Sequence, residues 1–189
     1  MIRSEVVRKL RILDFDTECR PMHYSDWRPE SQLTAYAWSW VGEHEVHSRV
    51  LHQNLRNEEK ILREFLAAVA EADMLVGHYI RRHDLPLIND HCIRFGLPPI
   101  NNVLVQDTKL DIIKGGGLGM SQENLSLEFE LTSEKHSMSG ALWRRANTLS
   151  RSGQAEALRR VESDVIQNKE LYAELKRRDI LHPGRLWSA

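Results

Sequence analysis

Two acidic residues in the segment ILDFDTE stand where they could bind a divalent cation. Asp16 and Glu18 lie two residues apart, just after a short apolar run at residues 11–15. If that run is a strand that continues, both side chains leave it on the same face. Adjacent carboxylates repel each other, and a hard cation such as Mg²⁺ relieves the repulsion through oxygen ligands. The alternative interpretation is that these acids are only polar residues entering a loop.

A third acid, Asp84, follows a second strand-like segment, in VGHYIRRHDLPLIND. Strand ends present side chains to a crevice, which suits a metal ligand. An Asp followed by Leu and Pro is also typical of a helix N-cap, with the proline in the first turn. The two roles are compatible, and the sequence leaves both open.

A fourth acid, Asp164, lies on the last predicted helix. At helical spacing it projects beside the apolar stripe that includes Val161 and Val165. A carboxylate on the inward edge of a helix needs a partner, because burial of an unpaired charge is costly. The partner is either a metal shared with Asp16 or an arginine such as Arg144 or Arg145.

The elements that position these acids follow from apolar periodicity and turn residues. Strands are predicted at 11–15, 33–41, 45–53, 74–78 and 102–106, and the second and third form a hairpin across Gly42. Helices are predicted at 57–72, 84–95, from Asp107 to the glycine triplet 115–117, at 125–131 and at 154–178. This order predicts an α/β fold with a mixed five-stranded sheet flanked by helices. At 189 residues, we expect a single domain over 1–189.

Composition places further bounds on the protein. No apolar run approaches the roughly 20 residues that cross a bilayer, and the charged start lacks the apolar stretch of a secretory signal. Two isolated cysteines fit a reducing compartment, so a cytoplasmic protein with no membrane association is expected. The net charge is −1, but residues 141–189 carry ten Lys/Arg against six Asp/Glu. This basic end could hold a polyphosphate chain or be a solvated surface.

Three motifs in order, LDFDTE, VGHYIRRHDLPLIND and RRVESDVIQNKELYAEL, with VQDTKLDIIK between the last two, carry a family resemblance. The chain resembles the DEDD-type 3′–5′ exonucleases of the RNase H-like fold over about residues 10–180. The most similar members are stand-alone proteins related to the proofreading exonuclease domain of family-B DNA polymerases. The resemblance implies that the catalytic and metal-binding acids are Asp16, Glu18, Asp84 and Asp164.

The same resemblance implies two divalent cations, Mg²⁺ or Mn²⁺, one activating a water and one stabilising the leaving 3′ oxygen. The expected substrate is single-stranded or frayed DNA, hydrolysed to nucleoside 5′-monophosphates. A polymerase or another replication or repair protein is a possible partner. Two alternatives are an exoribonuclease with the same chemistry and a weakly active or inactive nucleic-acid-binding module.

The third motif departs from the family pattern. The family has a Tyr four residues before the last acid, or a His five before it, to orient the attacking water; this chain has Arg160 and Arg159 there. Arginine cannot act as a general base, since it stays protonated, but it can bind a phosphate through two donors. Lys169 and His136 are the candidate replacements.

Several residues are predicted to contact substrate. Thr17 belongs to the first motif, His78 to the second, and Arg160 to the third. Tyr24 and Trp27 follow the first motif and could stack on bases, at about 1–3 kcal/mol per stack. Trp38 and Trp40 share one strand face and are expected to pack in the core. Candidate phosphate contacts, with a solvated surface as the alternative, are Arg144, Arg145, Arg151, Arg177 and Arg178.

Overall fold

The computed structural model describes residues 9–21, 31–113 and 119–189. Within these ranges the chain forms strands and helices in mixed order. The strands are β1 (Ile12–Pro21), β2 (Ser31–Trp40), β3 (His47–Val50), β4 (Met74–Gly77), β5 (Val103–Asp107) and β6 (Arg185–Trp187). The helices are α1 (Glu58–Ala70), α2 (Asp84–Arg94), α3 (Gln122–Glu128), α4 (Gly140–Asn147) and α5 (Arg151–Arg177).

The six strands form one mixed sheet in the order β3-β2-β1-β4-β5-β6. β1, β4 and β5 are parallel neighbours, whereas β1 with β2, β2 with β3, and β5 with β6 are antiparallel. The predicted α/β class, a mixed sheet flanked by helices, is confirmed, and the architecture is consistent with the RNase H-like fold. The predicted number of five strands is wrong by one. β6 has three residues, too few for an alternating pattern to reveal it.

The two faces of β1 have different neighbours, and this difference creates the site. Leu13 and Phe15 are buried in the cluster formed with α1 and α2. Because side chains alternate across a strand, Asp14, Asp16 and Glu18 lie on the opposite face, the face that α5 covers.

Small residues let α5 pack closely against the sheet on that face. Ala35 and Ala37 of β2 contact a buried cluster that includes Val161 and Val165 of α5. The close contact brings the inward edge of α5, including Asp164, next to the acidic face of β1.

The predicted helices are largely confirmed, with three corrections. α3 begins at Gln122 rather than near Leu125, because Ser121 caps it and accepts a hydrogen bond from the Asn124 amide. α4 was not predicted, because Ala146 is its one buried residue and no apolar stripe marks it. The helix predicted from Asp107 is wrong as far as residue 113: the chain there forms a turn, because the Asp107 carboxylate binds several backbone amides. The glycine triplet lies outside the described residues.

Within the described ranges, no helix combines the length and the apolar character needed to cross a membrane.

Candidate metal centre

Three of the four predicted acids converge at one point of the fold. β1 presents Asp16 and Glu18, and α5 brings Asp164 across the same face of the sheet. One carboxylate oxygen from each of the three lies within 4.8 Å of the others. The strand periodicity and the inward position on α5 together produce an all-oxygen donor set, the kind that Mg²⁺ and Mn²⁺ prefer.

Burial and mutual repulsion raise the pKa of every acid in this cluster. The pKa of Asp16 lies well above its usual value, chiefly through burial and then through the charges of Asp84, Asp164 and Glu18. Burial and the Asp164 charge raise the pKa of Glu18 to about 7. Burial also raises the pKa of Asp164, against the opposing effect of Lys135 and Arg160. A bound cation would relieve this repulsion.

One oxygen of the cluster also lacks a partner. Asp164 is 4% exposed, and its Oδ1 atom has no hydrogen-bond partner among the described residues. Buried polar atoms are almost always satisfied, so an orphaned carboxylate oxygen points to a ligand. The donor types, the raised pKa values and this oxygen all fit a divalent cation held by Asp16, Glu18 and Asp164.

Asp84 is not one of the three acids whose oxygens converge, although its charge raises the pKa of Asp16. Its Oδ1 accepts hydrogen bonds from the Thr17 amide at 3.0 Å and from the Thr17 hydroxyl at 2.5 Å. Its Oδ2 lies 3.6 Å from His83 Nδ1, and the pKa of His83 rises to about 10, chiefly through its hydrogen bond to Asp84. His83 occupies the N-cap position of α2, so the N-cap interpretation of Asp84 is wrong. The Asp84 carboxylate accepts hydrogen bonds from Thr17 instead.

Two cations lie against the cluster, and neither is the predicted Arg144 or Arg145. Arg160 Nε is 3.1 Å from Asp164 Oδ2 and 3.4 Å from Glu18 Oε1. Lys135 Nζ is 3.1 Å from the same Asp164 oxygen. Arg145 lies 3.8 Å from Glu156.

Sequence reasoning missed two neighbours of this site. Lys135 lies in a polar loop where no periodicity marks it. Trp143 lies on the unpredicted helix α4, with the Arg160 guanidinium 6.0 Å from the centre of its ring. A contact made by tertiary packing left no signal in the sequence for either residue.

The remaining predicted residues have other partners. His78 bridges Thr108 and the Met120 carbonyl, each at 3.1 Å, and its pKa falls to about 4, chiefly through burial. Lys169 donates to Ser39 and to a main-chain carbonyl, and His136 contacts Glu156 at 3.1 Å. The side chains of Lys169 and His136 therefore bind partners other than the three converging acids. Tyr24 and Trp27 lie outside the described residues.

The predicted candidates for phosphate contact include two that are paired within the chain. Arg177 and Arg178 each lie 2.6 Å from Glu174. Because both share one carboxylate partner on the surface, the solvated-surface interpretation fits these two residues.

A buried aspartate organises the turn that leads to Asp84. The Asp107 carboxylate is fully buried and accepts hydrogen bonds from the amides of Tyr79, Arg81, Lys109 and Leu110 at 2.9–3.1 Å. Tyr79 adopts a left-handed conformation with φ 71°, which a side chain other than glycine rarely takes. Asp107 thereby holds the segment between β4 and α2.

The raised pKa values predict a pH-dependent effect of cations on stability. An acid with a raised pKa in the folded state binds more protons there than in the unfolded state, so its ionisation costs stability as pH rises through the window. For Glu18 that window runs from the ordinary pKa of a glutamate, 4.5, to its raised pKa of about 7. A bound cation favours the ionised form. We therefore expect Mn²⁺ to raise the melting temperature much more at about pH 8 than at about pH 5.

Thermal melts with Mn²⁺ and with EDTA at the two pH values measure this difference. The Asp164→Asn variant, which lacks one of the converging carboxylates, should show a smaller effect of Mn²⁺ at about pH 8. An equal effect of Mn²⁺ on the wild type at both pH values would contradict the prediction.

Comparison with known proteins gives a likeness in fold. No protein-family model and no curated protein matches the sequence. Among solved structures, the chain is similar to the family B DNA polymerase from the hyperthermophilic archaeon Pyrobaculum calidifontis, with a TM-score of 0.66 and 18% sequence identity. The similarity covers 89% of this chain and 25% of the polymerase chain, so this chain spans about a quarter of that protein. At this identity the likeness concerns the fold alone.

Proposed function

We propose that the chain is a divalent-cation-dependent 3′–5′ exonuclease, formed by a single RNase H-like domain. It hydrolyses phosphodiester bonds of single-stranded or frayed DNA and releases nucleoside 5′-monophosphates. The observation that carries the proposal is the convergence of Asp16, Glu18 and Asp164 within 4.8 Å. The likeness in fold to part of a DNA polymerase supports nucleic acid as the substrate class.

In this reaction the acids would hold the cation on the sheet face. A divalent cation supplies Lewis acidity: it lowers the pKa of a bound water and neutralises charge on the phosphate. Asp16, Glu18 and Asp164 would be its ligands. The family resemblance also implies Asp84 as a ligand; in this chain its two bonds from Thr17 hold it beside the other three acids. The family resemblance implies two Mg²⁺ or Mn²⁺ ions.

The chain's own basic and aromatic groups would receive the substrate. Arg160 and Lys135 stand beside the acids, where a phosphodiester would meet them. Trp143 lies next to Arg160 and offers a ring on which a terminal base could stack. The 3′–5′ polarity and the preference for DNA rest on the motif resemblance. A polymerase or another replication or repair protein is the partner class that this function would serve.

Degradation of 5′-labelled strands tests the proposal directly. Single-stranded DNA and RNA of one sequence are incubated with Mg²⁺, with Mn²⁺ and with EDTA. We expect a metal-dependent ladder that shortens from the 3′ end of DNA and is absent in the Asp16→Ala/Asp164→Ala double variant. A ladder on RNA alone would change the proposed substrate from DNA to RNA and leave the proposed reaction unchanged. A ladder that survives in EDTA would refute the metal-dependent mechanism.

One observation favours a second candidate, a binding module without activity. Arg160 and Lys135 pair with two of the three converging acids and partly neutralise them. Binding of labelled DNA with no cleavage under any metal condition would support that candidate. Calorimetry with Mn²⁺ on wild type and on Asp16→Asn separates the two further, because a binding module has no need for a cation that the Asp16 carboxylate holds.

A further inference from the structure

We propose that this site binds one divalent cation rather than two, and that the Arg160 guanidinium supplies the positive charge that a second ion would bring. The proposal rests on the proposed function for the role of the site in catalysis. The number of bound ions, however, can be measured without substrate or activity.

Arg160 is built into the acid cluster. Its Nε contacts Asp164 Oδ2 at 3.1 Å and Glu18 Oε1 at 3.4 Å, so one guanidinium bridges the acids of α5 and β1. Its Nη1 donates to the His136 carbonyl at 2.8 Å, and the side chain is 17% exposed. The neighbouring Arg159 is 57% exposed and pairs with Glu156 instead. Contacts at Nε and at Nη1 therefore hold the Arg160 guanidinium in place.

Two groups within this ion pair lack a well-aligned hydrogen bond, and they suit two different ligands. Asp164 Oδ1 and Arg160 Nε are both buried, and neither has a hydrogen-bond partner of good geometry among the described residues. The carboxylate oxygen is an acceptor that a cation would satisfy. The Nε–H group is a donor that a phosphate oxygen would satisfy. The pair is thus suited to one cation and one phosphate.

Charge balance also indicates one bound divalent cation. Asp16, Glu18 and Asp164 carry three negative charges when ionised, and Arg160 and Lys135 carry two positive charges beside them; Asp84 is left out of this count because it pairs with His83. One divalent cation and one phosphodiester bring the group to neutrality. A second divalent cation would leave two uncompensated positive charges in a largely buried space, which is costly. Arginine cannot relieve the excess, because it does not lose its proton.

The ligand set for a second ion is also incomplete. The converging oxygens come from three acids, and Asp84 does not supply one of them. Its Oδ1 is engaged by the amide and the hydroxyl of Thr17, and its Oδ2 faces the imidazole of His83. Both oxygens of Asp84, the fourth acid that a second ion would need as a ligand, therefore already have partners in the protein.

The test counts Mn²⁺ ions bound to the full chain. Calorimetry gives the stoichiometry, and electron paramagnetic resonance reports a spin-coupled signal only where two Mn²⁺ ions lie a few ångströms apart. We expect one ion and no coupled signal for the wild type, with Mn²⁺ alone and with an added deoxynucleoside 5′-monophosphate. Arg160→Gln should bind a second ion, more weakly than the first because Asp84 would have to leave Thr17 or His83 to ligate it, and should show coupling at saturating Mn²⁺. Arg160→Lys, which keeps the charge, and the control Arg159→Gln should bind one.

The outcomes separate this inference from the proposed function. Two coupled ions in the wild type would overturn the inference and leave the metal-dependent exonuclease intact. No bound ion in the wild type would overturn the metal site itself and the proposed function with it. One ion in both the wild type and a folded Arg160→Gln variant would show that Arg160 does not exclude the second ion. Circular dichroism establishes that each variant is folded.

Discussion

Asp16→Asn will abolish divalent-cation binding and lower exonuclease activity by more than about 100-fold, while it raises the melting temperature of the cation-free protein. Mutation of a residue that only hydrogen-bonds a metal ligand typically lowers metal affinity or activity by about 10- to 100-fold. Loss of a direct ligand should have a larger effect. The gain in stability has a separate cause. Asp16 is repelled by three neighbouring acids, and asparagine keeps its size without its charge. Each kcal/mol of relieved repulsion corresponds to about 2–4 °C.

The opposite signs make this prediction specific. Thermal melts in EDTA, calorimetry with Mn²⁺ and the strand-degradation assay are run on the same preparations. Asp90→Asn, which changes an exposed acid on α2, is the matched control and should leave all three readouts unchanged. A variant that loses both activity and stability would indicate a structural role for Asp16 and would contradict the prediction.

Asp107→Ala will lower the free energy of unfolding by about 3–5 kcal/mol, the range typical of a broken buried charge interaction. The carboxylate is fully buried and accepts four backbone amides, and each buried donor left without a partner costs about 1–3 kcal/mol. Some of these amides will recover hydrogen bonds to water, which keeps the total below the sum. Loss of Asp107 would also remove the acceptor of the Tyr79 amide, which helps to hold that residue in its left-handed conformation.

Urea denaturation measures this loss, with Asp90→Ala as an exposed control expected within about 0.5 kcal/mol of wild type. Because the turn leads to α2, the variant should also lose cleavage activity at temperatures where it remains folded. A change below about 1 kcal/mol would mean that the four amides find equivalent partners elsewhere, and Asp107 would not be the organising residue of the turn.

Local patterns in the sequence were sufficient for most of the secondary structure and for part of the site. Alternation along β1 was enough to place Asp16 and Glu18 on one face, because the two-residue period of a strand is a local property. Helical spacing likewise was enough to put Asp164 on the inward edge of α5. The α/β class with a mixed sheet followed from the order of the elements. β6 escaped prediction because three residues show no period, and α4 because it buries only Ala146.

The partners of the acids depended on contacts between residues far apart in the chain. Thr17 and Asp84 are 67 residues apart, and their hydrogen bonds exist only because β1 lies beside β4 and the start of α2. Lys135 reaches Asp164 from an irregular loop that has no local signature. The conformation of that loop depends on side chains of α5, such as Ser163, which accepts the His136 amide.

The sequence by itself determined on which face of β1 and on which edge of α5 the acids lie, since periodicity alone sets the face of a strand or helix on which a side chain lies. Only the tertiary structure decided that Asp84 is bound by Thr17 and that Arg160 and Lys135 lie against the other acids. Burial and charge neutralisation select such partners in three dimensions, and neither quantity exists until distant segments pack together. The chemistry available to the site was therefore predictable from residue types and spacing, whereas its charge balance was not.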